Sequence, residues 1–418
     1  MDRIVLVTAA DLSGPKCGGN VNLVTLLGRF GKRMALDIVW VTRNEKALTN
    51  TGHELWKQGI KFRSLSVVLQ RRNITNYDRL WSIVRCQAPG PAFMERTVGL
   101  ELGRAVRTRL SSGPAPILHV WGPSLAGCLK RLSVPKLVTF GDCMSALHQS
   151  YSRSRPFPLS VYHRLAARGF RRYEREVLTS YSAAVFFTER DRQAVRTNVQ
   201  NSRLVVIPNG VDKSMVSGLV REAQSIPVVA FHGHYGHYPN VEAAEFLISK
   251  VGPYLARVFG EDGFQLRLAG ADPEGRMTRL TGRAPWCVYV GYVEDLYGFL
   301  RQATVYCAPV FSGAGIKNKV LDALQAGLPV IGTEEAVAGL PAEVRSAVVL
   351  ADMATFAPRT AEVIAMPPAE AQALADRVAN VFTALPTWDD IADSYLALYD
   401  SIASNSDTPG AAARSASI

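Results

Sequence analysis

The first half of the chain alternates short, almost unbroken apolar runs with longer stretches whose apolar residues recur at helical spacing. The runs are "RIVLVTAA" (3–10), "LDIVWVT" (36–42), "PILHVWG" (116–122), "KLVTF" (136–140), "AAVFFT" (183–188) and "LVVIP" (204–208). They lack the in–out alternation of a half-exposed strand, so they predict strands buried on both faces. Helical stretches such as "VNLVTLLGRF" lie between several of them, and strand–helix alternation predicts a parallel sheet. "PNGVD" (208–212) ends the last run in a turn, and a polar stretch follows. The second half then restarts the same rhythm. "PVVAFHG" (227–233), "FQLRLAG", "VYVGYV", "TVYCAPV" and "PVIGT" predict strands; "NVEAAEFLISKVGPYLARVF", "DLYGFLRQA" and "GIKNKVLDALQAG" predict helices. The pattern predicts two α/β domains, 1–208 and 227–385, joined by a linker over 209–226. The small, polar segment 405–418 predicts a disordered tail.

A length of 418 residues fits two domains. Charge sharpens the division: residues 1–212 hold 32 Lys+Arg against 14 Asp+Glu, and residues 213–418 hold 15 against 22. A basic first half attracts something anionic, such as phospholipid headgroups, a polyprenyl diphosphate, an acidic glycan or nucleic acid. No nucleic-acid motif accompanies the basic residues, which places that partner last. The six cysteines are scattered without a C-x-x-C, which argues against a zinc cluster or a disulfide framework and for a reducing, cytoplasmic setting. The N-terminal run is too short for a signal peptide, and no stretch approaches the ~20 apolar residues of a membrane span.

Two loops carry candidate chemistry. In "FHGHYGHYPN" (231–240) three of the chain's seven histidines fall within six positions. A catalytic zinc site would need at least three well-placed ligands with supporting partners. Here Gly233 and Gly236 interrupt the histidines and the loop holds no Cys, Asp or Glu, so no metal is expected. A glycine loop between a strand and a helix instead lets a phosphate approach backbone N–H groups, with His234 and His237 as hydrogen-bond donors. The second loop lies in "APVFSGAGIKNKVLDALQAGLPVIGT" (308–333). A strand ends at Val310, Gly313 and Gly315 make a small-residue turn, and a helix is predicted from near Ile316. Its free N–H groups, with Lys317 and Lys319, make an anion site. Lys319 and Asp322 lie three apart and share a face, so Asp322 is placed to accept from ribose hydroxyls.

The second half, from about 183 to 350, resembles the family 4 glycosyltransferases of the GT-B fold. The matching elements occur in family order: "VVIPNGVD", "AFHGHYGHYPNVEAAEFL", "LRLAGADP", "VYVGYVEDLYGFLRQATVYCAPV", "GAGIKNKVLDALQAGLPVIGT" and "AVAGL". The nearest pattern is that of the branch carrying "GxGxKxKxLEA" and "GSxxxxPN", largely enzymes of bacterial exopolysaccharide and surface-glycan assembly. The first half resembles the family through "GG" after the first strand, "LHVWGP", "TFGDCMSAL" and "YEREVLTSYSAAVFFTERDR". "PTWDDIADSYLALYD" (386–400) resembles the C-terminal helix, here 386–404, that returns to the first domain.

The resemblance implies an α/β GT-B architecture of two Rossmann-like domains facing a central cleft. It implies a retaining transferase that uses a nucleotide-diphosphate sugar and no metal cofactor. The second domain holds the donor and the first the acceptor, a surface polysaccharide or lipid-linked glycan. The basic charge of the first half, read by itself, adds peripheral contact with the inner face of an anionic membrane. The arginine- and apolar-rich segment 62–110 suits such an acceptor site. Donor contacts carry over to Gly18, Gly19, Gly233, His234, His237, Gly313, Gly315, Ile316, Lys317, Lys319 and Asp322. Asp142, at a strand end in "TFGDC", is the expected catalytic residue at the acceptor hydroxyl, and His119 in "LHVW" the second candidate. Two departures stand out. His234 replaces a common Arg, and the family's Glu-x7-Glu becomes Ala314-x7-Asp322. The lost acid keeps open a catalytically weak nucleotide-sugar-binding protein. A GT-B sugar epimerase is a second, separate alternative. A phosphorylase would need a cofactor-lysine segment, and none is seen.

Overall fold

The computed structural model describes residues 2–12, 19–45, 47–113, 116–196, 203–213, 225–282, 284–313 and 315–406. Gly18, Ala314, residues 214–224 of the expected linker and residues 407–418 of the expected tail lie outside the described residues. The chain forms two compact units, Met1–Gly210 with Trp388–Ile418, and Val211–Thr387.

The first unit is built on seven strands: β1 (Arg3–Thr8), β2 (Ala35–Thr42), β3 (Ser64–Leu69), β4 (Ile117–Trp121), β5 (Lys136–Gly141), β6 (Ala183–Phe186) and β7 (Arg203–Val206). Their order is β3-β2-β1-β4-β5-β6-β7, with every neighbouring pair parallel. Every residue of β1, β4 and β5 is buried, as unbroken apolar runs require when helices cover both faces of a sheet. One face packs under Phe93, Leu102 and Val106; the other holds Leu6, Phe30 and Trp40 with Ile391, Tyr395 and Tyr399 of the C-terminal helix Trp388–Ser406. That helix therefore closes the core of the first unit, although the whole second unit precedes it in sequence.

β3 is absent from the strands read in the sequence. It lies in segment 62–110, where the arginine content drew attention to an acceptor surface instead. Its Arg63 has a structural task. Arg3 Nε donates to Asp37 Oδ2 at 2.9 Å, and Arg63 Nε donates to Asp37 Oδ1 at 2.9 Å. Burial pushes the Asp37 pKa up, but hydrogen bonds from Arg63, Ser64 and Arg3 outweigh it and leave the carboxyl below its ordinary range.

The second unit repeats the plan with six strands: β8 (Val228–His232), β9 (Gln265–Ala269), β10 (Cys287–Gly291), β11 (Val305–Ala308), β12 (Val330–Gly332) and β13 (Val348–Leu350). Their order is β10-β9-β8-β11-β12-β13, again parallel. The short β13 also escapes the apolar pattern. In such doubly wound sheets the order reverses beside the first strand, and the crevice for a ligand lies at the carboxyl ends there. In this unit that point falls between β8 and β11, which lead into the two loops singled out above.

Candidate functional site

Both loops emerge from the switch point of the second sheet, and the structure joins them. After β8 the chain turns through Gly233–His237 into the helix Tyr238–Phe246, with Pro239 in its first turn. After β11 it passes Gly313 and Gly315 into the helix Asn318–Gln325. This helix starts two residues later than the Ile316 expected, because Lys317 sits in a non-helical cap conformation. Gly313 and Gly315 have φ of +143° and +69°, so the turn needs residues without a Cβ. Gly270, at the end of β9, completes the tight approach: a Cβ there would meet the Gly233 carbonyl oxygen at 1.9 Å.

Asn240 ties the two loops together. Its Nδ2 donates to the His234 carbonyl at 2.9 Å, and its Oδ1 accepts from Lys319 Nζ. The Lys319 ammonium also lies 4.6 Å from the centre of the Phe231 ring. Burial, with Lys317 beside it, pushes the Lys319 pKa down to about 7, while Asp322 pulls it the other way. Lys317 Nζ donates to the Gly315 carbonyl at 3.2 Å and lies 3.6 Å from Glu335. Lys317 thus lies on the glycine turn at a helix start, with the Lys319 ammonium close enough to feel its charge.

The histidines divide. His234 Nδ1 accepts from the Gly236 N–H at 3.0 Å, so in the neutral ring the proton sits on Nε2, free to donate outward. Burial and the neighbouring His234 and Lys319 hold His237 below the ordinary histidine range. His232 Nε2 lies 3.5 Å from Asp322 Oδ2. Among the described residues no group of three or more His, Cys, Asp or Glu is placed to hold a metal ion. Asp322 stands three positions from Lys319 on the same helix face, as its spacing predicts. Gly233, His234, His237, Gly315, Lys317, Lys319 and Asp322 thus belong to one locality, with Gly313 and Ile316 in the same turn.

Three residues of this locality are missing from the expected donor set: Asn240, His232 and Glu335. Asn240 had a signal, a polar side chain in the first turn of the helix after a glycine loop. His232 is one of the three clustered histidines of the loop, and Glu335 reaches Lys317 through tertiary approach alone.

The first-unit candidates separate. Gly19 opens the helix Gly19–Arg33. Asp142 follows β5 directly and is half-buried. The backbone after it is held rigidly: the Cys143 N–H donates to Asp191 Oδ1 at 3.0 Å and the Ser145 N–H to Glu174 Oε1 at 2.9 Å. His119 requires a correction. It is fully buried, with Nδ1 2.7 Å from the Tyr399 hydroxyl and Nε2 2.8 Å from Thr139 Oγ1. Burial pushes its pKa down to about 3, so it is neutral. Both ring nitrogens are satisfied under the C-terminal helix, which leaves none for an acceptor hydroxyl.

The molecule is thus two parallel α/β units, with a glycine turn and two lysines at the switch point of the second. Residues 226–383 match the family model "Glycosyl transferases group 1", and residues 45–214 match "Glycosyltransferase Family 4". The chain belongs to the family 4-like glycosyltransferases of the GT-B fold, and its reaction is glycosyl transfer.

Solved structures share the fold at low identity. A glycosyltransferase from Rickettsia africae is 12% identical with a TM-score of 0.64, over 97% of this chain and 99% of that one. Anabaena HepE, in complex with UDP and glucose, is 13% identical with a TM-score of 0.63, over 95% and 99%. A UDP-forming trehalose-phosphate synthase from Burkholderia xenovorans, in complex with glucose-6-phosphate, is 13% identical with a TM-score of 0.65, over 95% and 100%. Among curated protein sequences no significant match is found.

Proposed function

We propose that the chain is a retaining glycosyltransferase that moves a sugar from a nucleotide diphosphate to a hydroxyl of a surface-polysaccharide or lipid-linked glycan. The observation that carries the donor side is the Asn240 link, which sets the Lys319 ammonium at the glycine turn beside Lys317. In this reading the diphosphate lies against Gly233, His234, Gly313 and Gly315. Lys317, Lys319 and the helix start stabilise the charge that develops as the sugar–phosphate bond breaks. Asp322 accepts from the ribose hydroxyls. A retaining transfer of this kind delivers the acceptor on the face that the diphosphate leaves, so the protein's work is orientation and charge stabilisation.

Asp142 is the residue we assign to the acceptor hydroxyl. It sits at the carboxyl end of β5, on a backbone fixed by Asp191 and Glu174. The test begins with a thermal-shift screen of nucleotide sugars, followed by transfer assays with glycan acceptors. Asp142→Asn is expected to bind donor like the wild type while transfer falls ~10²–10⁴-fold, the range for a removed acid or base. Transfer at the wild-type rate would return Asp142 to a loop-capping role.

A second reading is favoured by the basic composition of residues 1–212, which equally suits a sugar phosphate as acceptor. The Burkholderia xenovorans structure holds glucose-6-phosphate. Running both acceptor classes in the same transfer assay separates the two readings. Transfer to neither class would favour a donor-binding protein of weak activity, the alternative raised by Ala314 in place of the family acid.

A further inference from the structure

The helix Asn76–Val84 turns its apolar side outward. Tyr77, Leu80, Trp81 and Val84 follow at steps of three, one and three, so they form one stripe, and they are 68, 61, 41 and 66% exposed. The buried side carries Asp78, Ser82 and Ile83. That side is held by polar bonds: Asp78 Oδ2 accepts from the Thr75 N–H at 3.0 Å and from Arg72, and Ser82 Oγ donates to the Asp78 carbonyl. An ordinary surface helix does the reverse, burying its stripe and showing its polar face. The stripe is also ordered. The Tyr77 and Trp81 rings stack at 6.2 Å, and the Arg85 guanidinium lies 4.7 Å from the Trp81 ring centre.

The helix Leu159–Ser180 packs against this one, and the Arg79 charge is felt at its Tyr162. Its leading end is apolar and open too: Phe157, Leu159, Val161 and Leu165 are 82, 45, 40 and 38% exposed. Exposed arginines flank both helices, Arg71, Arg79 and Arg85 on one and Arg153, Arg164 and Arg168 on the other. Residues 151–173 contain no acidic residue, and the one in 71–94, Asp78, is buried.

We infer that this face docks on an anionic lipid bilayer, with the aromatic and aliphatic side chains entering the interface and the arginines meeting headgroup phosphates. Charge selects this occupant over a second copy of the chain. Two such faces brought together would set arginine against arginine with no carboxylate between them. Among the described residues no helix is long and apolar enough to cross a membrane, so the contact is interfacial. The inference rests on the lipid-linked reading above for its purpose and narrows segment 62–110 to its exposed part. Phe93, Met94, Val98 and Leu102 of that segment are core.

The test is co-sedimentation of the full chain with vesicles of phosphatidylcholine alone or with phosphatidylglycerol added, without any sugar substrate. Transfer and docking therefore fail independently. The wild type is expected to bind the phosphatidylglycerol vesicles and to lose binding near 1 M salt, where the Debye length is ~3 Å. The double variant Leu80→Glu/Trp81→Glu is expected to bind about tenfold more weakly or worse. The double variant Arg164→Gln/Arg168→Gln should also bind about tenfold more weakly, with a shallower salt dependence. All four side chains are exposed, and circular dichroism and thermal unfolding confirm that the variants fold. Three results would overturn the inference: no binding by the wild type, wild-type binding by the glutamate variant, or a wild-type dimer in vesicle-free solution that the glutamate variant dissolves while vesicles bind neither.

Discussion

The depressed pKa of Lys319 makes donor affinity depend on pH in a way that can be worked out beforehand. With a pKa of about 7 in the unligated protein, against an ordinary 10.5, the ammonium is half charged at neutrality. A bound diphosphate favours the charged form and returns the pKa toward its ordinary value. Raising the pH from 7 to 9 then costs a proton at each binding event, and affinity falls by about fiftyfold. A nucleotide-diphosphate sugar is the right probe, because its diphosphate does not titrate in this range. Isothermal calorimetry with UDP-glucose as first probe, repeated with the donor found by screening, measures the slope. Lys319→Met should bind ~1–3 kcal/mol more weakly at neutral pH, the range for a lost charged hydrogen bond, and its affinity should be flat with pH. Folding stability moves oppositely. Between about 7 and 10.5 the unfolded chain carries more of this proton than the folded one, so the unligated protein gains stability as pH rises through that window. A flat wild-type affinity, or an equal slope in Lys319→Met, would refute the assignment of this charge to the donor phosphates.

Three further outcomes follow from the geometry. Asp322→Ala should weaken binding of a nucleoside as well as its nucleotide, by ~1–3 kcal/mol each; calorimetry showing loss for the nucleotide alone would move Asp322 off the ribose. Tyr399→Phe leaves His119 Nδ1 without its partner and should cost ~1–3 kcal/mol in denaturant unfolding, while transfer per folded molecule stays unchanged; a specific loss of transfer would reopen His119 as a catalytic group. Asp37 contributes stability that is present above its ordinary pKa of 3.8 and is lost as pH falls through the lower value of the folded state. Asp37→Asn, which strips Arg3 and Arg63 of their carboxylate, should destabilise by ~3–5 kcal/mol and reduce the acid sensitivity of the melting temperature.

The repeated α/β plan is legible in the amino-acid sequence. Parallel strands covered on both faces must be apolar on both, and that requirement writes unbroken runs such as "RIVLVT" and "VVAFH" into the chain. Also legible there are the glycines of the turn, Gly313 and Gly315, and the shared helix face of Lys319 and Asp322, because both depend on neighbours in sequence. Strands without that signature escaped. β3 lies at a sheet edge with only Val68 fully buried, and β13 is three residues long. Which polar residues meet is set by long-range packing. Asn240 and Lys319 are 79 positions apart, and His119 and Tyr399 are 280 apart. The first pair builds a charged site at the switch point of a sheet; the second seals a histidine that its strand-end position had offered as catalytic. The reason is the same in both cases. A side chain's chemistry is set by the dielectric and partners around it, and those come from segments that local spacing cannot place.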